Sequence, residues 1–348
     1  MKKVIIGISG GVDSSVAAVL LKEQGYEVIG VTFIFTDDFD TTDAIKVCEK
    51  IGIEHHIIDY RDIFKRTVID KFINDYNKGI TPNPCILCNR EIKFNFLYQN
   101  MLKLDCDYIA TGHYAKIIDG KLYKSEDLNK DQTYFLAQLT NEQLNRLILP
   151  LEGIDKEQVR EIAKQHNLIT ADKKDSTDVC FINDKFKEYI NNKVENKKGK
   201  VINVEDSSII GEHNGLKCYT IGQRRGLNIG GTKEKMYVVG KNIEENILYV
   251  ALGDDNKYLI STSCILSNVN LLTSEKIKNL KAKFRYRQEE IDVEVDYVSD
   301  EKLIIRYPEG VKSVTPGQAC VLYNGNQCIG GGIIETVCKN DEKIWYIL

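Results

Sequence analysis

The chain opens with an apolar run, a glycine-rich turn and a helical pattern, and this order constrains the fold more than any other feature. The run covers residues 3–8, the turn residues 9–14, and the helical pattern continues to residue 24 and stops at Gly25. A turn between a buried strand and a helix directs free backbone N–H groups and the positive end of the helix dipole at one point. We therefore predict an anion site suited to phosphate. The turn has neither the lysine of the kinase phosphate loop nor the G-x-G-x-x-G pattern of dinucleotide-binding proteins.

Strand and helix patterns alternate along the first half of the chain. Strands are predicted at residues 27–34, 55–59 and 107–111, and helices at residues 43–51 and 62–76. This alternation is typical of a parallel sheet with helices on both faces, so we expect an α/β, Rossmann-like N-terminal domain. Ligands of such domains bind at the carboxyl ends of the strands, which is where the glycine-rich turn, Phe33, Gly112 and His113 fall.

The second half of the chain has a different pattern. A polar stretch at residues 191–200 is typical of a linker, and short alternating runs follow it at residues 200–204, 217–221, 236–239, 247–251, 281–287, 291–297, 303–307, 319–323 and 345–348. Runs of this length and spacing predict two small, barrel-like β domains. We expect an N-terminal domain at residues 1–190, a central β domain at 191–258 and a C-terminal β-barrel at 259–348.

Composition and charge restrict the class of protein. The 348 residues carry a formal net charge of −4, with 28% charged and 43% hydrophobic residues, an ordinary balance for a globular chain. No apolar run approaches the length of a membrane span, and no basic segment precedes an apolar stretch of the kind found in secretory signal peptides. A cytoplasmic protein without membrane contact is therefore expected. The acidic balance does not exclude nucleic acid as a partner, because local cationic clusters can bind it.

Cys88 is the first candidate for a reactive thiol. It lies in residues 81–89, where two prolines predict a loop, and directly before a helical pattern at residues 90–104. A helix N-terminus and the neighbouring Arg90 would favour its thiolate. The alternatives are a structural thiol or half of a metal pair with Cys85, for which a single C-x-x-C is a weak signal.

Cys180 is the second candidate, and the alternative is a small buried hydrophobe between Val179 and Phe181. Ten cysteines at scattered spacings predict free thiols and not a disulfide framework. The other seven stand in helical or strand-like contexts and are expected to be inert: Cys48, Cys106, Cys218, Cys264, Cys320, Cys328 and Cys338.

A cationic strand is predicted at residues 281–287. Its period of two places Phe284 and Tyr286 on one face. Four cations share the other face: Lys281, Lys283, Arg285 and Arg287. Adjacent like charges repel each other on a free surface, so a polyanionic partner is favoured over the alternative of a solvated barrel edge.

Seven motifs occur in the order found in one enzyme family. They are S-G-G-x-D-S at residues 9–14, T-P-N-P at 81–84 with C-N at 88–89, T-G-H-Y at 111–114, K-D-Q-T-Y-F-L at 130–136, D-S-T with C-F-I at 175–182, Y-T-I-G-Q-R-R-G at 219–226, and T-P-G-Q at 315–318. The chain resembles the tRNA-specific 2-thiouridylases over nearly its whole length. Its first turn resembles the pyrophosphate loop of enzymes that split ATP between the α and β phosphates.

The resemblance implies a substrate, a reaction and a set of site residues. ATP adenylates the C2 oxygen of the wobble uridine of tRNA, and sulfur then replaces that oxygen. The ATP-binding positions are Gly7, Ile8, Ser9, Gly10, Gly11, Val12, Asp13, Ser14, Phe33 and Gly112. Cys180 matches the residue that carries a persulfide, and Cys88 matches its partner nucleophile, which is able to form a disulfide with it. Asp13 is the carboxylate nearest to an ATP-bound Mg²⁺.

The resemblance also implies contacts with tRNA and with a sulfur donor. Asn83, Pro84 and Cys85 match the loop that meets the target base. The other matching tRNA positions are His113, Lys130, Asp131, Gln132, Arg285, Tyr286 and Gln318. A cysteine desulfurase or a sulfur-relay protein is the expected donor of sulfur.

The sequence departs from the family pattern at two positions and is short after Phe33. Position 85 is cysteine where many members have aspartate, and position 178 is aspartate where many have glycine. With Cys88 and Cys180, Cys85 gives three thiols, which is also the ligand set of related thiolases that bind a 4Fe-4S cluster. Thiolation by sulfur bound to such a cluster, in place of a persulfide, therefore remains an alternative. So do an ATP-dependent adenylating ligase or amidotransferase, and a non-catalytic iron–sulfur or RNA-binding module.

Overall fold

The computed structural model of the chain describes residues 1–174, 179–182, 186–194, 196–227, 229 and 235–347. The chain forms two compact units. The first contains Met1–Ile69, Pro84–Phe181 and Asn324–Ile329, and the second contains Asp70–Asn83, Ile182–Tyr323 and Gly330–Leu348. Within the described residues, no helix combines the length and the apolar character needed to cross a membrane. The division into three domains stays a prediction.

A parallel sheet forms the centre of the first unit. The strands in this part of the chain are β1 (Lys3–Gly7), β2 (Glu27–Ile34), β3 (Glu54–Asp59), β4 (Tyr108–Ala110), β5 (Lys116–Ile118), β6 (Lys121–Tyr123) and β7 (Leu147–Ile148). Five of them pair in parallel in the order β3-β2-β1-β4-β7, and β5 and β6 form an antiparallel hairpin. The sheet predicted from the alternation of strands and helices is confirmed.

The helices follow the predicted pattern but are interrupted by wider turns. The described residues include α1 (Val12–Glu23), α2 (Thr42–Ile51), α3 (Arg61–Phe64), α4 (Asp70–Asn77), α5 (Pro84–Cys88), α6 (Phe94–Lys103), α7 (Thr133–Leu136), α8 (Asn141–Leu144), α9 (Lys156–Gln165) and α10 (Phe186–Lys193). Two π-helical turns, Lys65–Ile69 and Asn89–Lys93, stand between α3 and α4 and between α5 and α6.

The core of the first unit fixes the start of α1. Val16 and Ala17 of α1 pack in one apolar cluster with Val4 of β1 and with Val159 and Ala163 of α9. Each of these five residues is fully buried. Because α1 is held against both the sheet and α9, the glycine-rich turn before it has a fixed position at the carboxyl end of β1.

The second unit contains a small four-stranded sheet. Its strands are β8 (Gly199–Asn203), β9 (Ile209–His213), β10 (Met236–Asn242) and β11 (Ile247–Leu252), in the order β10-β11-β8-β9. Val201, Val238, Leu248 and Val250 form its core.

A closed six-stranded barrel follows, which confirms the predicted β-barrel class. Its strands are β12 (Ile260–Leu271), β13 (Asn279–Lys283), β14 (Ile291–Ser299), β15 (Lys302–Lys312), β16 (Ala319–Asn324) and β17 (Gln327–Lys339), and β18 (Glu342–Lys343) pairs with the end of β17. The strands neighbour each other in the order β12-β15-β14-β13-β16-β17, and the pairing of β17 with β12 closes the ring.

Three predicted strands differ in the structure. Residues 217–221 do not pair, because Leu216–Cys218 is a 3-10 turn and the alternation arises from Tyr219 and Ile221 turning into the core. Trp345 and Tyr346 form a turn after β18, and Leu348 lies outside the described residues. The cationic strand ends at Lys283, because the carbonyl of Arg285 accepts the N–H of Gln288 in a turn.

Two long strands, β12 and β17, were not predicted. Glycines interrupt the alternation of β17, and the barrel requires one of them because its backbone passes very close to β16. A β-carbon at Gly331 would lie 2.1 Å from the carbonyl oxygen of Cys320. A side chain at this position would push the two strands apart.

Candidate active site

The glycine-rich turn leaves the start of α1 open to a ligand. β1 ends at Gly7, and Gly11 is the N-cap of α1, with no side chain bonded to the first helical N–H groups. The two serines of the turn bond to the turn itself: the backbone N–H of Ser9 donates to Ser14 Oγ over 3.2 Å, and Ser14 Oγ donates to the carbonyl of Gly11 over 3.1 Å. An uncapped N-terminus of a twelve-residue helix suits a phosphate group.

Asp13 is held by two residues that sequence reasoning missed. Tyr114 donates its hydroxyl to Asp13 Oδ1 over 2.7 Å, and Lys156 Nζ lies 2.6 Å from the same oxygen. The Lys156 side chain is only 14% exposed. The signal that could have located it is the capping box of Asp155 and Gln158, which places Lys156 at the first position of α9.

Gly112 lies against the backbone of the turn. A β-carbon at this position would stand 2.7 Å from both the carbonyl carbon of Asp13 and the nitrogen of Ser14. Lys173 contacts the turn from another side, because its ammonium donates to the carbonyl of Gly10 over 2.9 Å and pairs with Asp43 over 2.6 Å. The ends of β1 and β4 therefore meet at the turn, as the parallel sheet predicted.

Phe33 begins a row of aromatic rings that reaches the second cysteine. Its ring centroid lies 5.3 Å from Tyr60 and 6.0 Å from Phe35. Phe35 stacks on Phe64 at 4.8 Å, and Phe64 meets Phe181 edge to face at 5.7 Å. Since Phe64 and Phe181 are buried, they fix the chain directly after Cys180, whose own side chain is exposed.

The segment around Cys88 differs from the prediction. The helix begins at Pro84, because proline is tolerated in the first turn, where its missing N–H costs nothing. Cys88 therefore stands inside a helical run and not at a helix N-terminus. Arg90 is turned away from it, with contacts to Gln138 at 2.8 Å and Glu91 at 3.1 Å. The expectation that these two features favour its thiolate is wrong.

Burial is the main influence on the pKa values of the two thiols of α5. It raises the pKa of Cys88 to about 12, and the nearby ammonium of Lys93 opposes this rise. It also raises the pKa of the half-buried Cys85, again against Lys93. Burial lowers the pKa of Lys93 itself, but Cys88, Cys180 and Cys85 together raise it above its usual value. Lys93 is thus the cation of the thiol cluster, defined here as these three cysteines.

The thiol cluster is not arranged as a metal site. Within the ranges that the structure covers, no three His, Cys, Asp or Glu side chains come together in a way that could hold a metal ion. The D-S-T motif and the departure at Asp178 fall on residues 175–178, which lie outside the described residues.

The tRNA positions predicted in the first unit are mostly engaged in internal bonds. Asp131 is buried and accepts from the N–H of Ser125 over 3.1 Å and from the hydroxyl of Thr133 over 2.6 Å. Gln132 Oε1 accepts from the N–H of Tyr114 over 2.9 Å. Lys130 is half-buried.

His113 lies near Lys93. Its Nδ1 is 2.8 Å from Thr111 Oγ1, and burial, helped by the charge of Lys93, lowers its pKa to about 3. The ring is therefore neutral at physiological pH. It packs against Phe94 at 5.5 Å between ring centroids.

In the second unit, two predicted tRNA positions hold backbone segments. Gln318 Nε2 donates to the carbonyl of Thr81 over 2.8 Å, two residues before Asn83. Arg285 Nη2 lies 2.9 Å from the carbonyl of Ile221, 2.8 Å from that of Ser313 and 3.0 Å from Thr315 Oγ1. Tyr286 is half-buried next to it.

Three family models match consecutive segments of the chain. The family model described as the tRNA methyl transferase HUP domain matches residues 2–184. The models for a tRNA methyl transferase PRC-barrel domain and an aminomethyltransferase beta-barrel domain match residues 187–252 and 261–334.

Curated relatives match the chain from end to end. The tRNA-specific 2-thiouridylase MnmA of Mycoplasmopsis synoviae is 45% identical over 99% of this chain and 99% of its own length. The enzyme of the same name from Bacillus subtilis is 43% identical over 99% of this chain and 98% of its own. Among solved structures, a 4-thiouridine synthetase–RNA complex with bound ATP shares 20% identity at a TM-score of 0.35, covering 51% of this chain and 44% of that one.

The contact of Gly112 with the turn can be tested by adding one methyl group. Gly112→Ala would force its β-carbon into the backbone of residues 13 and 14, so we expect the free energy of unfolding to fall by about 1–3 kcal/mol. The measurement is denaturant unfolding, with Gly153→Ala as the control, because a β-carbon there meets nothing within 4 Å. Equal stability of the two variants would show that the turn does not depend on this contact.

Proposed function

The chain belongs to the tRNA-specific 2-thiouridylase family and is a tRNA sulfurtransferase, and we propose that it uses ATP and a persulfide on Cys180 to thiolate the wobble uridine. One observation carries the residue assignment: a single compact unit contains both an uncapped helix N-terminus and a pair of thiols, one buried and one exposed. The first feature suits the phosphates of ATP, and the second suits a relay of sulfur. Neither a different adenylating ligase nor a non-catalytic RNA-binding module is supported by the full-length relatives.

Activation of the uridine is assigned to the glycine-rich turn. A carbonyl oxygen is a poor leaving group, and transfer of the adenylyl group to it creates AMP as a good one. Residues 7–14, Phe33 and Gly112 would bind ATP, with its phosphates at the N–H groups that start α1. A magnesium ion carried by ATP would neutralise charge on the departing pyrophosphate. Asp13 could hold it through Oδ2, which has no hydrogen-bond partner among the described residues.

Sulfur transfer is assigned to the thiol pair. The outer sulfur of the Cys180 persulfide attacks C2, and the C2–O bond breaks as AMP leaves with the electron pair. The thiolate of Cys88 then attacks the inner sulfur, the S–S bond breaks, and its electron pair stays with the sulfur on C2. The products are 2-thiouridine and a Cys88–Cys180 disulfide, which a cellular dithiol reduces. The exposure of Cys180 suits loading by a cysteine desulfurase or a sulfur-relay protein.

Recognition of tRNA is assigned to the remaining family positions. Asn83, Pro84 and Cys85 would meet the target base, with His113, Lys130, Asp131 and Gln132 around it. The bonds that Asp131, Gln132 and Gln318 make inside the protein support a role in which they shape backbone that RNA contacts. Arg285 and Tyr286 would approach the phosphate backbone.

Replacement of single cysteines tests the relay. We expect Cys180→Ser and Cys88→Ser to form no 2-thiouridine, while Cys180→Ser still exchanges pyrophosphate into ATP when tRNA is present, because thiols act only after activation. Cys85→Ala should keep most of its activity, since the relay uses only two thiols. The measurements are mass analysis of tRNA nucleosides and isotope exchange. Cys106→Ser, in the same unit, is the control.

Two outcomes would contradict the relay. Thiolation by Cys180→Ser at the parental rate would exclude a persulfide on Cys180 as the source of sulfur. A parent protein that is brown and active when prepared without oxygen, with a colourless and inactive Cys85→Ala, would replace the relay by a cluster of three thiolates.

Paired arginine variants test the cationic segment. Arg285→Ala and Arg287→Ala should each weaken tRNA binding and reduce the slope of log affinity against log salt by about one. With one phosphate contact fewer, binding releases fewer counterions from the tRNA. The rate at saturating tRNA should change little. Only Arg285→Ala should also lower the thermal midpoint, because only Arg285 bonds to Ile221, Ser313 and Thr315. Parental affinity of both variants at low and high salt would remove this segment from the binding surface.

A further inference from the structure

Within the described residues, the π-helical turn Asn89–Lys93 contains one buried polar atom that has no partner and one lysine whose ammonium is not paired. Asn89 is buried, and its Oδ1 has no hydrogen-bond partner, although its Nδ2 donates to the carbonyl of Phe135 over 3.1 Å. Lys93 is half-buried, and its ammonium forms no ion pair or hydrogen bond with a described residue, whereas its backbone N–H donates to the sulfur of Cys88. π-Helical turns inside α-helices are frequent at functional sites, and buried polar groups without partners call for a functional explanation.

The wider turn aligns Lys93 with Cys88. In a π-helix the repeating contact joins residues five apart, so Lys93 falls on the same side of the helix as Cys88. In the preceding turn of α5, Cys85 and Cys88 share one face because they are three residues apart. The helix therefore presents two thiols and one ammonium to the same space, and Cys180 is the third sulfur near that ammonium.

Other charges do not replace Lys93 at this position. α7 packs against α5 and the π-turn and carries no charged side chain. The π-turn Lys65–Ile69 also packs against α5, but its Lys65 and Arg66 are exposed. His113 is neutral, and Arg90 is bonded to Gln138 and Glu91. Among the described residues, Lys93 is thus the cation available to stabilise negative charge on the cluster.

We propose that Lys93 is a catalytic residue of sulfur transfer, whose ammonium stabilises the Cys88 thiolate as it attacks the inner sulfur of the Cys180 link. This inference rests on the proposed relay and adds to it the charge that a buried thiol needs. The S–S bond breaks as the Cys88–Cys180 bond forms, its electron pair stays with the sulfur on C2, and the proton lost by Cys88 goes to solvent. Adenylation needs no charge at this position, so the two half-reactions should separate.

Two substitutions distinguish charge from structure. Lys93→Met keeps the length of the side chain and removes its charge, whereas Lys93→Arg keeps the charge. We expect Lys93→Met to exchange pyrophosphate at the parental rate and to lose at least about tenfold in single-turnover transfer from enzyme loaded with persulfide on Cys180. Lys93→Arg should recover part of that loss. Lys65→Met is the control, since Lys65 is an exposed lysine on the neighbouring π-turn.

A second measurement separates this inference from the relay itself. The alkylation rate of Cys88 by iodoacetamide, followed by peptide mass analysis, should fall several-fold in Lys93→Met and recover in Lys93→Arg, whatever the cysteine does in catalysis. If Cys88 is alkylated more slowly in Lys93→Met than in the parent, but the parent forms no 2-thiouridine, the relay fails while the effect of the Lys93 charge stands. Parental transfer and alkylation in Lys93→Met, or loss of pyrophosphate exchange together with transfer, would overturn the role of Lys93.

Discussion

An uncapped helix end held against a sheet is the constraint on which the first unit depends. The N–H groups at the start of α1 receive no side-chain cap, and such groups are left without partners only where solvent or a ligand can supply them. Burial of Val16 and Ala17 fixes the helix, and the close approach of Gly112 fixes the turn. Lys156 and Tyr114 then fix Asp13. The geometry that suits phosphate is thus produced by packing at a distance from the phosphate site.

The same unit places its thiols in contrasting surroundings. Cys180 is exposed to solvent, whereas Cys88 is buried, where its thiolate is costly. A buried nucleophile is protected from side reactions but needs a nearby charge to act. In the proposed relay, Lys93 supplies that charge from the π-turn, and the neutral His113 adds no second positive charge next to it.

The fold class and the order of the motifs could be predicted from the sequence, but the side chains that contact each motif could not. The glycine-rich turn, the parallel sheet and the barrel class follow from local patterns. Lys156 and Lys93 were missed because their roles come from contacts that no local pattern contains: Lys156 meets Asp13 across 143 residues, and Lys93 meets Cys88 only through a π-turn. The strand predicted at residues 281–287 is too long, because cationic and aromatic residues still alternate in the sequence where the chain has already entered a turn at Arg285.

In the proposed reaction, the C2 oxygen of the uridine leaves as part of AMP. The direct measurement uses tRNA whose wobble uridine carries oxygen-18 at C2, incubated with ATP and enzyme loaded with persulfide. We expect the heavy oxygen to appear in AMP in the same amount as 2-thiouridine in the tRNA. Heavy oxygen found in water or pyrophosphate, or thiolation without labelled AMP, would contradict it.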